Sequence, residues 1–346
     1  MKENRKGVPK VKSKLCIECG ARDTYEFKNT IREYKGNGYH FEMHVNIPFC
    51  KICGAPIYDE EIEKEIAEKA NEKIREQREI ITREEILEIL ESYHISQKLL
   101  SRLLGWGEIT LTRYISGNYT PNASNSTRIK ELKNPYVFQK LLQNYCDEET
   151  IEEKEKKALK KAENGVLYQL SRLKGIHGKI FDVVNWFLAQ SSDDIPITHL
   201  ALQKLLYFTQ SWSSVLLEEE IFSNDCQAWV HGAVYPEVYE IFKKFKYMPL
   251  PKLKYTARFN EDESMILDAV KRYYFDIYSA KALEEICHRE SPYKKARQGY
   301  TEDETCHITI DKKNIALYYN QVAQKYNINL SNLSNIKEYL NIMINN

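Results

Sequence analysis

No apolar run in this sequence approaches the roughly 18 residues needed to cross a bilayer. The positively charged segment from Met1 to Lys14 is not followed by the apolar core of a signal peptide. We therefore expect a cytoplasmic protein with no membrane partner. Internal repeats and low-complexity tracts are missing as well. With 346 residues, of which 42% are hydrophobic, the chain is long enough for two or three domains that each bury a core.

Net charge is also absent, since 50 basic side chains balance 50 acidic ones, but the charges are unevenly distributed. Residues 1–58 carry eleven basic and six acidic side chains, and residues 96–146 carry seven and two. The rest of the chain is therefore acidic by about ten charges. Such a chain can dock a polyanion with its N-terminal modules only.

Two C-x-x-C-G motifs, at 16–20 and 50–54, are the most specific signal in the sequence. The two thiolates of each motif can share a tetrahedral cation, and the following glycine relieves the crowded backbone. Two motifs predict a closed site for structural Zn²⁺, with the ligands Cys16, Cys19, Cys50 and Cys53. Disulfides are disfavoured in a reducing cytoplasm, and a thioredoxin-like redox pair needs one motif in a βαβ context.

The segment between the motifs predicts a β-hairpin. Apolar and polar side chains alternate over 39–47, and an Asn-Gly turn at 37–38 would fold this strand back on an earlier one at 25–34. His40 and His44 fall on the polar face, so we expect them to be exposed and not to bind the metal. The other cysteines show no ligand spacing and are interpreted as packing residues: Cys146, Cys226, Cys287 and Cys306.

The remaining pattern divides the chain into segments of different character. A charged helical stretch follows the first module, a capping box at Thr82–Glu85 opens a compact helical domain, and a Glu- and Lys-rich stretch follows that domain. We therefore predict a multidomain, mainly α fold with a small zinc-bound β module. The predicted segments are the four-cysteine module 1–58, a linker helix 59–81, an all-α helix-turn-helix domain 82–146, a charged linker 147–164 and a mainly α C-terminal domain 165–346.

Two short helices in the second domain predict the helix-turn-helix. Ser96 can cap a helix that stops at 105–107, and a second helix from Glu108 to Ser116 ends at Gly117. The polar side of the second helix would then face the major groove of DNA. The predicted DNA-binding residues are Ile109, Thr110, Thr112, Arg113 and Ser116 on this helix, with Gln97 and Lys98 on the preceding one. A helical hairpin used only for packing is the alternative, which the net positive charge disfavours.

The cysteine motifs and the segment 105–114, followed by Gly117, Asn118 and Pro121, resemble the MqsA, or YgiT-type zinc finger, antitoxin family over roughly residues 14–145. This resemblance implies a zinc-holding module and a helix-turn-helix domain that dimerises and binds a palindromic operator. Arg113 matches a base-contacting Arg of the family pattern. Ile109 stands where an Asn can accompany that Arg, which implies a different operator sequence.

The C-terminal segment has amphipathic helical stretches at 179–189 and 198–217, and Pro236 and Pro292 stand where a first helical turn would start. Its motifs at 202–208, 228–239 and 291–297 resemble the SocA-like, or Panacea, domain over about residues 175–325. Ala233 replaces the usual Pro of that family and Tyr293 the usual Trp. The resemblance implies an antitoxin domain that neutralises a toxin by direct binding, with delivery of the toxin to a protease as a less common mode.

No catalytic constellation is recognisable in this segment. Cys287 and His288 are adjacent on a predicted helix, so their side chains diverge and cannot pair as nucleophile and base, and we expect no enzymatic activity. Three motif residues either form a buried structural motif or face the toxin: Trp229, His231 and Tyr235. Tyr293 is predicted to contact the toxin together with them.

Taken together, the sequence predicts the antitoxin of a type II toxin–antitoxin system. Its expected partners are a cognate toxin protein and operator DNA, through which it represses its own operon, and a second copy bound through the helix-turn-helix domain. Two alternatives remain open at this point: a proteolytic adaptor that delivers a toxin to a AAA+ protease, and a phage-borne transcriptional regulator.

Overall fold

The computed structural model describes residues 14–36, 39–78, 80–148, 151–254 and 257–345. Within these ranges the chain is mainly α-helical and carries a two-stranded β-hairpin with a cysteine cluster, which confirms the predicted fold class. The described residues form two compact units, one from 1–86 with 113–130 and one from 87–112 with 131–346. The predicted segment 82–146 contributes to both units, and the predicted domain boundaries stay predictions. No helix in the described ranges has the length and apolar character needed to span a membrane.

The secondary structure begins with a long hairpin and continues with helices. The strands are β1 (Tyr25–Gly36), β2 (Tyr39–Cys50), β3 (Gln227–Trp229) and β4 (Gly232–Val234). The first helices are α1 (Glu60–Arg78), α2 (Arg83–Ser92), α3 (Gln97–Leu103), α4 (Thr110–Ile115), α5 (Ala123–Glu131), α6 (Pro135–Glu148) and α7 (Glu153–His177). The later helices are α8 (Ile180–Gln190), α9 (His199–Leu216), α10 (Pro236–Phe242), α11 (Glu261–Val270), α12 (Ala280–Arg289), α13 (Ser291–Ala296), α14 (Lys312–Tyr326) and α15 (Ile336–Asn345).

In the first unit, β1 and β2 pair as an antiparallel hairpin, with Tyr25 opposite Cys50 and Tyr34 opposite Phe41. The alternating apolar residues of β2 are buried on one face, as the sequence pattern predicted. Helix α1 covers that face through Ala70, so the segment predicted as a linker helix is part of this small core. The predicted Asn-Gly turn at 37–38 lies outside the described residues.

The predicted helix starts at Thr82 and Ser96 are confirmed. Thr82 and Glu85 form a reciprocal capping box, and the Ser96 hydroxyl accepts from the backbone N–H of Leu99. Helix α4 is shorter than the predicted Glu108–Ser116. It begins only after a turn in which the N–H of Thr110 bonds the carbonyl of Gly107, and it ends before Gly117, whose φ of +77° a helix cannot contain.

The charged linker 147–164, which we expected to be a solvated helix, is helical from Glu153 onward as expected, but it is partly packed. Helix α7 starts at Glu153 and buries Leu159 and Ala162 in its first half. A Cβ on Gly165 would lie 2.6 Å from the Cα of Tyr93, so this helix crosses the chain at backbone contact distance. Most Glu and Lys residues in the first half of α7 lie on its exposed side. Because they outnumber the few buried apolar residues, the sequence pattern indicated a linker.

In the second unit, α9 is the central helix. Every residue from Ala201 to Ser213 is buried, which identifies a helix surrounded by protein on all sides. Helices α8, α11, α12 and α14 pack around it. The short hairpin of β3 and β4 lies against α9 and α12, and Pro236 starts α10 directly after it.

Candidate functional site

The cysteine cluster is formed by the two predicted motifs at the base of the long hairpin. The four sulfur atoms lie within 4.8 Å of one another. The Sγ atoms of Cys16 and Cys53 are 3.5 Å apart, and those of Cys19 and Cys50 are 3.6 Å apart. Zn–S bonds of about 2.3 Å in a tetrahedron place the sulfur atoms about 3.8 Å apart, so the donor set fits that ion. The predicted ligands are therefore brought together in a cluster that can hold a metal ion.

The backbone around the cluster favours thiolates. Gly20 and Gly54 adopt φ of +73° and +76°, as expected after each C-x-x-C turn. Backbone N–H groups of Cys53 and Ile52 lower the pKa of the Cys50 thiol to about 6. Backbone N–H groups act in the same direction on Cys19 and Cys53, but desolvation and the neighbouring sulfur atoms raise the pKa of these two thiols. His44 is exposed, in agreement with its predicted position, and the side chain of His40 lies outside the described residues.

The predicted DNA-binding residues lie on α3, on α4 or in the turns next to α4. Thr112, Arg113 and Ser116 are exposed, as is Ile109 in the turn before α4, whereas Thr110 is half-buried. Leu111 has no exposed surface, and its N–H donates to the hydroxyl of Ser101 on α3. Helix α4 is thus anchored by one face and presents the other to solvent.

Gln97 and Lys98, the predicted DNA-binding residues at the start of α3, already have protein partners. The hydroxyl of Thr112 donates to the side-chain oxygen of Gln97 across 2.9 Å. Lys98 forms an ion pair of 2.9 Å with Glu108 on an exposed surface. Exposed pairs of this kind contribute little to stability and can be exchanged for a phosphate.

In the second unit, the three segments that carry the Panacea resemblance meet at the β3–β4 hairpin. From α9, Lys204 donates to the carbonyl oxygen of Ala233 across 2.8 Å, and Gln203 accepts from the N–H of Tyr235. From α13 and the turn after it, Tyr293 donates to the carbonyl of Trp229, and Arg297 donates to that of Ala228. The motif side chains therefore fix the backbone of this hairpin.

The two departures from the family pattern each form a hydrogen bond to or from this hairpin. The N–H of Ala233, which a proline would lack, donates to Cys287 Sγ at 3.4 Å. The hydroxyl of Tyr293 lies 2.7 Å from the carbonyl oxygen of Trp229. Gly232, with φ of +89°, leaves space for Lys204, because a Cβ there would lie 2.7 Å from Lys204 Cε.

The predicted toxin-binding residues separate into two groups. Tyr235 and Tyr293 are buried, with 1% and 6% of their surfaces exposed, so the prediction that they face a toxin is not supported. The hydroxyl of Tyr293 donates to the carbonyl of Trp229, and the ring of Tyr235 packs against that of Phe222. Trp229 is half-buried and His231 is exposed, and these two side chains remain available to a partner.

The geometry around Cys287 does not form a thiol–imidazole pair. Cys287 is fully buried, and this burial raises the pKa of its thiol to about 12. His288 points elsewhere and stacks on the ring of Tyr293 at 4.7 Å. His231 approaches Glu284 at 3.4 Å from the exposed side of the hairpin.

A second buried polar cluster surrounds Glu290, between α12 and α13. Its carboxylate accepts hydrogen bonds of 2.7 Å from the hydroxyls of Tyr207, Tyr319 and Tyr339, all of them buried. Burial raises the pKa of Glu290 to about 7, and the three hydroxyls oppose that rise. These hydrogen bonds connect α9, α14 and α15 through a single carboxylate.

Two clefts flank the tip of the short hairpin, and Val230 and His231 line both of them. The aromatic cleft, of about 560 Å³, is defined by His199, Trp229, Tyr239, Lys243, Lys246 and His307. The polar cleft, of about 550 Å³, is defined by Lys281, Glu284, Glu285, Lys294, Glu302 and Asp303. The hairpin therefore separates two surfaces of different chemistry.

Comparison with known protein families finds a match in this region. Residues 202–294, from α9 to α13, match the sequence model of the family described as antitoxin SocA-like, Panacea domain. A search of curated proteins finds no significant match to the chain. The second unit thus contains an antitoxin-like Panacea domain, which supports a role in a toxin–antitoxin system in general terms.

Several residues that define these sites were not predicted as site residues. Lys204 is one of them, although a charged residue among Leu202, Leu205 and Leu206 on an otherwise apolar helix is a signal that predicts a buried cation. Tyr239 and His307 carried no comparable signal, because their proximity to Trp229 arises from folding of distant segments.

Proposed function

We propose that this chain is the antitoxin of a type II toxin–antitoxin system, which binds and neutralises a cognate protein toxin through its Panacea domain. The observation that carries the proposal is the family match at 202–294. The matched region contains the β3–β4 hairpin, whose backbone the motif side chains fix. The half-buried Trp229 and the exposed His231 on that hairpin are available to a protein partner. Neutralisation by binding needs no turnover, and we propose that the chain is not an enzyme.

The proposal assigns the cysteine cluster to structural Zn²⁺, with Cys16, Cys19, Cys50 and Cys53 as ligands. Four thiolates leave no open coordination position, so the metal would stabilise the fold of the module and would perform no chemistry. The hydrophobic cluster between β2 and α1 is small, and metal binding supplies stability that such a core cannot.

The proposal assigns operator binding and autorepression to α3 and α4, as in the MqsA-like pattern. It is supported by the exposed Thr112 and Arg113 on α4, by the anchoring of α4 through Leu111, and by the basic excess over 96–146. Two copies would read two half-sites about one helical turn apart, so the proposed DNA-bound form is a homodimer.

Co-purification tests the toxin-binding part of this function. Tagged full-length chain is co-expressed with the product of each adjacent gene and purified, and a stoichiometric complex with a product that is lethal on its own is the expected result. A matched chain with Gly232→Arg, which places a bulky group against Lys204, is expected to lose that product. Loss of the lethal product through proteolysis, dependent on this chain, would instead support a proteolytic adaptor.

A further inference from the structure

The aromatic cleft beside Trp229 is lined mainly by aromatic and aliphatic side chains, whereas the polar cleft is lined mainly by charged ones. Trp229 packs edge-on against Tyr239 at 4.7 Å and against His307 at 5.1 Å between ring centroids. Leu200, Val230 and Val234 add aliphatic surface to the same cleft. A volume of about 560 Å³ lies within the ~300–1,000 Å³ range of ligand-binding clefts. The cleft can thus receive a large apolar side chain.

The charged side chains that line this cleft are all basic. Lys243 and Lys246 stand among its lining residues, and no Asp or Glu lines it within the described part of the chain. Lys243 also forms an exposed ion pair of 2.5 Å with Glu240, and a pair of this kind contributes little to stability and can be exchanged for a carboxylate of a partner. The polar cleft on the other side of the hairpin combines Lys281 and Lys294 with four carboxylates. Complementary charge fixes the register of a partner and repels wrong ones, so an occupant of the aromatic cleft should carry negative charge.

Lys246 occupies an unusual backbone position at this rim. Its φ is +52° and its ψ is −116°, a conformation that residues other than glycine rarely adopt. In the ranges that the structure describes, no carboxylate lies within ion-pair distance of its ammonium group. Strained positions of this kind occur at ligand-binding sites more often than elsewhere.

The cleft is also rigid, because the hairpin that forms one wall is fixed from beneath. The backbone carbonyl of Trp229 accepts from the buried Tyr293, and that of Ala233 accepts from the buried Lys204. A preorganised anchor loses little conformational entropy on binding, which is the property of residues that dominate protein interfaces.

From these observations we infer that the aromatic cleft is the surface through which the Panacea domain binds its toxin. Its occupant is a segment of the toxin in which an aromatic or aliphatic side chain is flanked by Asp or Glu. The apolar side chain enters between Trp229, Tyr239 and His307, and the flanking carboxylates pair with Lys243 and Lys246. This inference rests on the proposed function and names the binding surface and the chemistry of the partner.

The test compares charge reversals on the two sides of the hairpin. The full-length chain is purified with Lys246→Glu or, as the matched control, with Lys294→Glu in the polar cleft, and its affinity for the purified lethal product of the adjacent gene is measured by calorimetry. Lys246→Glu should weaken binding by about tenfold, less so at high salt, whereas Lys294→Glu should leave it unchanged. An effect confined to Lys294→Glu would overturn the inference.

Trp229→Ala and His307→Ala test the apolar part of the cleft. Trp229→Ala should weaken binding by about 30-fold, as expected for a central aromatic residue. His307 is exposed, so His307→Ala should leave the unfolding temperature unchanged while it weakens binding in the same direction. Among overlapping synthetic peptides of the toxin, those that compete should contain an aromatic or aliphatic residue next to a carboxylate.

The outcomes separate the inference from the proposed function. Failure of the wild-type chain to bind any lethal neighbour overturns both. Wild-type binding with unchanged affinity in Lys246→Glu, Trp229→Ala and His307→Ala overturns the inference alone. Sedimentation tests a third outcome, in which Lys246→Glu converts a dimer to a monomer and leaves the toxin affinity unchanged. That result would assign the cleft to the contact between two copies of this chain, and it would also overturn the inference.

Discussion

The ammonium group of Lys204 lies 2.8 Å from the carbonyl oxygen of Ala233, and neither residue has exposed surface. Burial lowers the pKa of Lys204 to about 8, because a cation without water is disfavoured, while Cys287 and Glu284 nearby oppose the shift. A buried charge of this kind is costly, and here it holds the strand that follows the exposed tip of the hairpin. Because Gly232 leaves room for the Lys204 side chain, we expect substitutions at Gly232 to destabilise the second unit.

Gly232→Ala should destabilise the second unit more than the same change at Gly299. Both glycines have left-handed φ, of +89° and +92°, so each substitution costs about 1–2 kcal/mol in backbone strain. Only at Gly232 would the new Cβ meet Lys204 and Cys287, which adds about 1–3 kcal/mol of overpacking.

The measurement is urea unfolding followed by tryptophan fluorescence. All four tryptophans belong to the second unit, so the signal reports on that unit. If the two substitutions lower the free energy of unfolding equally, Lys204 can move aside for the new methyl group. That result would contradict the prediction.

Glu290 should make the second unit less stable as the pH rises from about 4.5 to about 7. Its pKa is about 7 in the folded chain and 4.5 as an ordinary glutamate, so the folded state binds more protons across this window. The stabilisation is complete below pH 4.5 and is lost as the pH passes 7. Its full size is about 3 kcal/mol, from about 1.36 kcal/mol per pKa unit.

Comparison with Glu290→Gln isolates this contribution. His199 acts in the opposite sense, since burial lowers its pKa to about 4 and the stability it contributes is lost as the pH falls below 6.5. Both proteins share His199, so the wild-type free energy of unfolding minus that of Glu290→Gln should fall between pH 5 and pH 7.5. A pH-independent difference would contradict the predicted protonation of Glu290.

Cys16→Ser should abolish stoichiometric zinc binding and unfold the hairpin module, whereas Cys146→Ser should change neither. Cys16 is buried in the four-sulfur cluster, and Cys146 is exposed and outside it. Losing one of four thiolates removes much of a binding energy of about 10–16 kcal/mol, on which a small core depends. Elemental analysis of the purified variants and circular dichroism give the two readouts. Full zinc content in Cys16→Ser would refute the assigned ligand set.

Arg113→Ala should reduce discrimination between operator and unrelated DNA by about 1–3 kcal/mol, because a guanidinium can read a guanine edge by two hydrogen bonds. The log of the affinity should fall linearly with the log of the salt concentration, with a slope of about −0.9 per phosphate contacted. Arg172→Ala, an exposed arginine on α7, is the matched control and should leave both quantities unchanged. Unaltered selectivity in Arg113→Ala would remove α4 from the proposed recognition surface.

The sequence was sufficient to predict features that depend on local pattern. The cysteine spacing predicted the cluster, the alternation over 39–47 predicted a half-buried strand, and Thr82 and Ser96 predicted two helix starts. Each of these signals lies within a few residues of the structure it specifies. The Panacea resemblance also predicted the region that the family comparison identifies.

Features that depend on distant contacts were not predicted. The packing of α7 against the backbone of Tyr93 requires Gly165, and a single glycine inside a charged helical stretch does not show what it approaches. The convergence of three tyrosine hydroxyls on Glu290 joins this carboxylate to residues up to 83 positions away. The burial of Tyr235 and Tyr293 likewise follows from tertiary packing and not from the aromatic pattern of the motifs.

Viable counts test the central claim most directly. Cells that carry the adjacent gene under an inducible promoter are plated with and without a second plasmid that expresses this chain. The account predicts that the induced gene alone reduces colony numbers by orders of magnitude and that the chain restores them, with Lys294→Glu as effective as wild type. Failure of the folded, zinc-loaded chain to restore growth against any lethal neighbour would contradict the account.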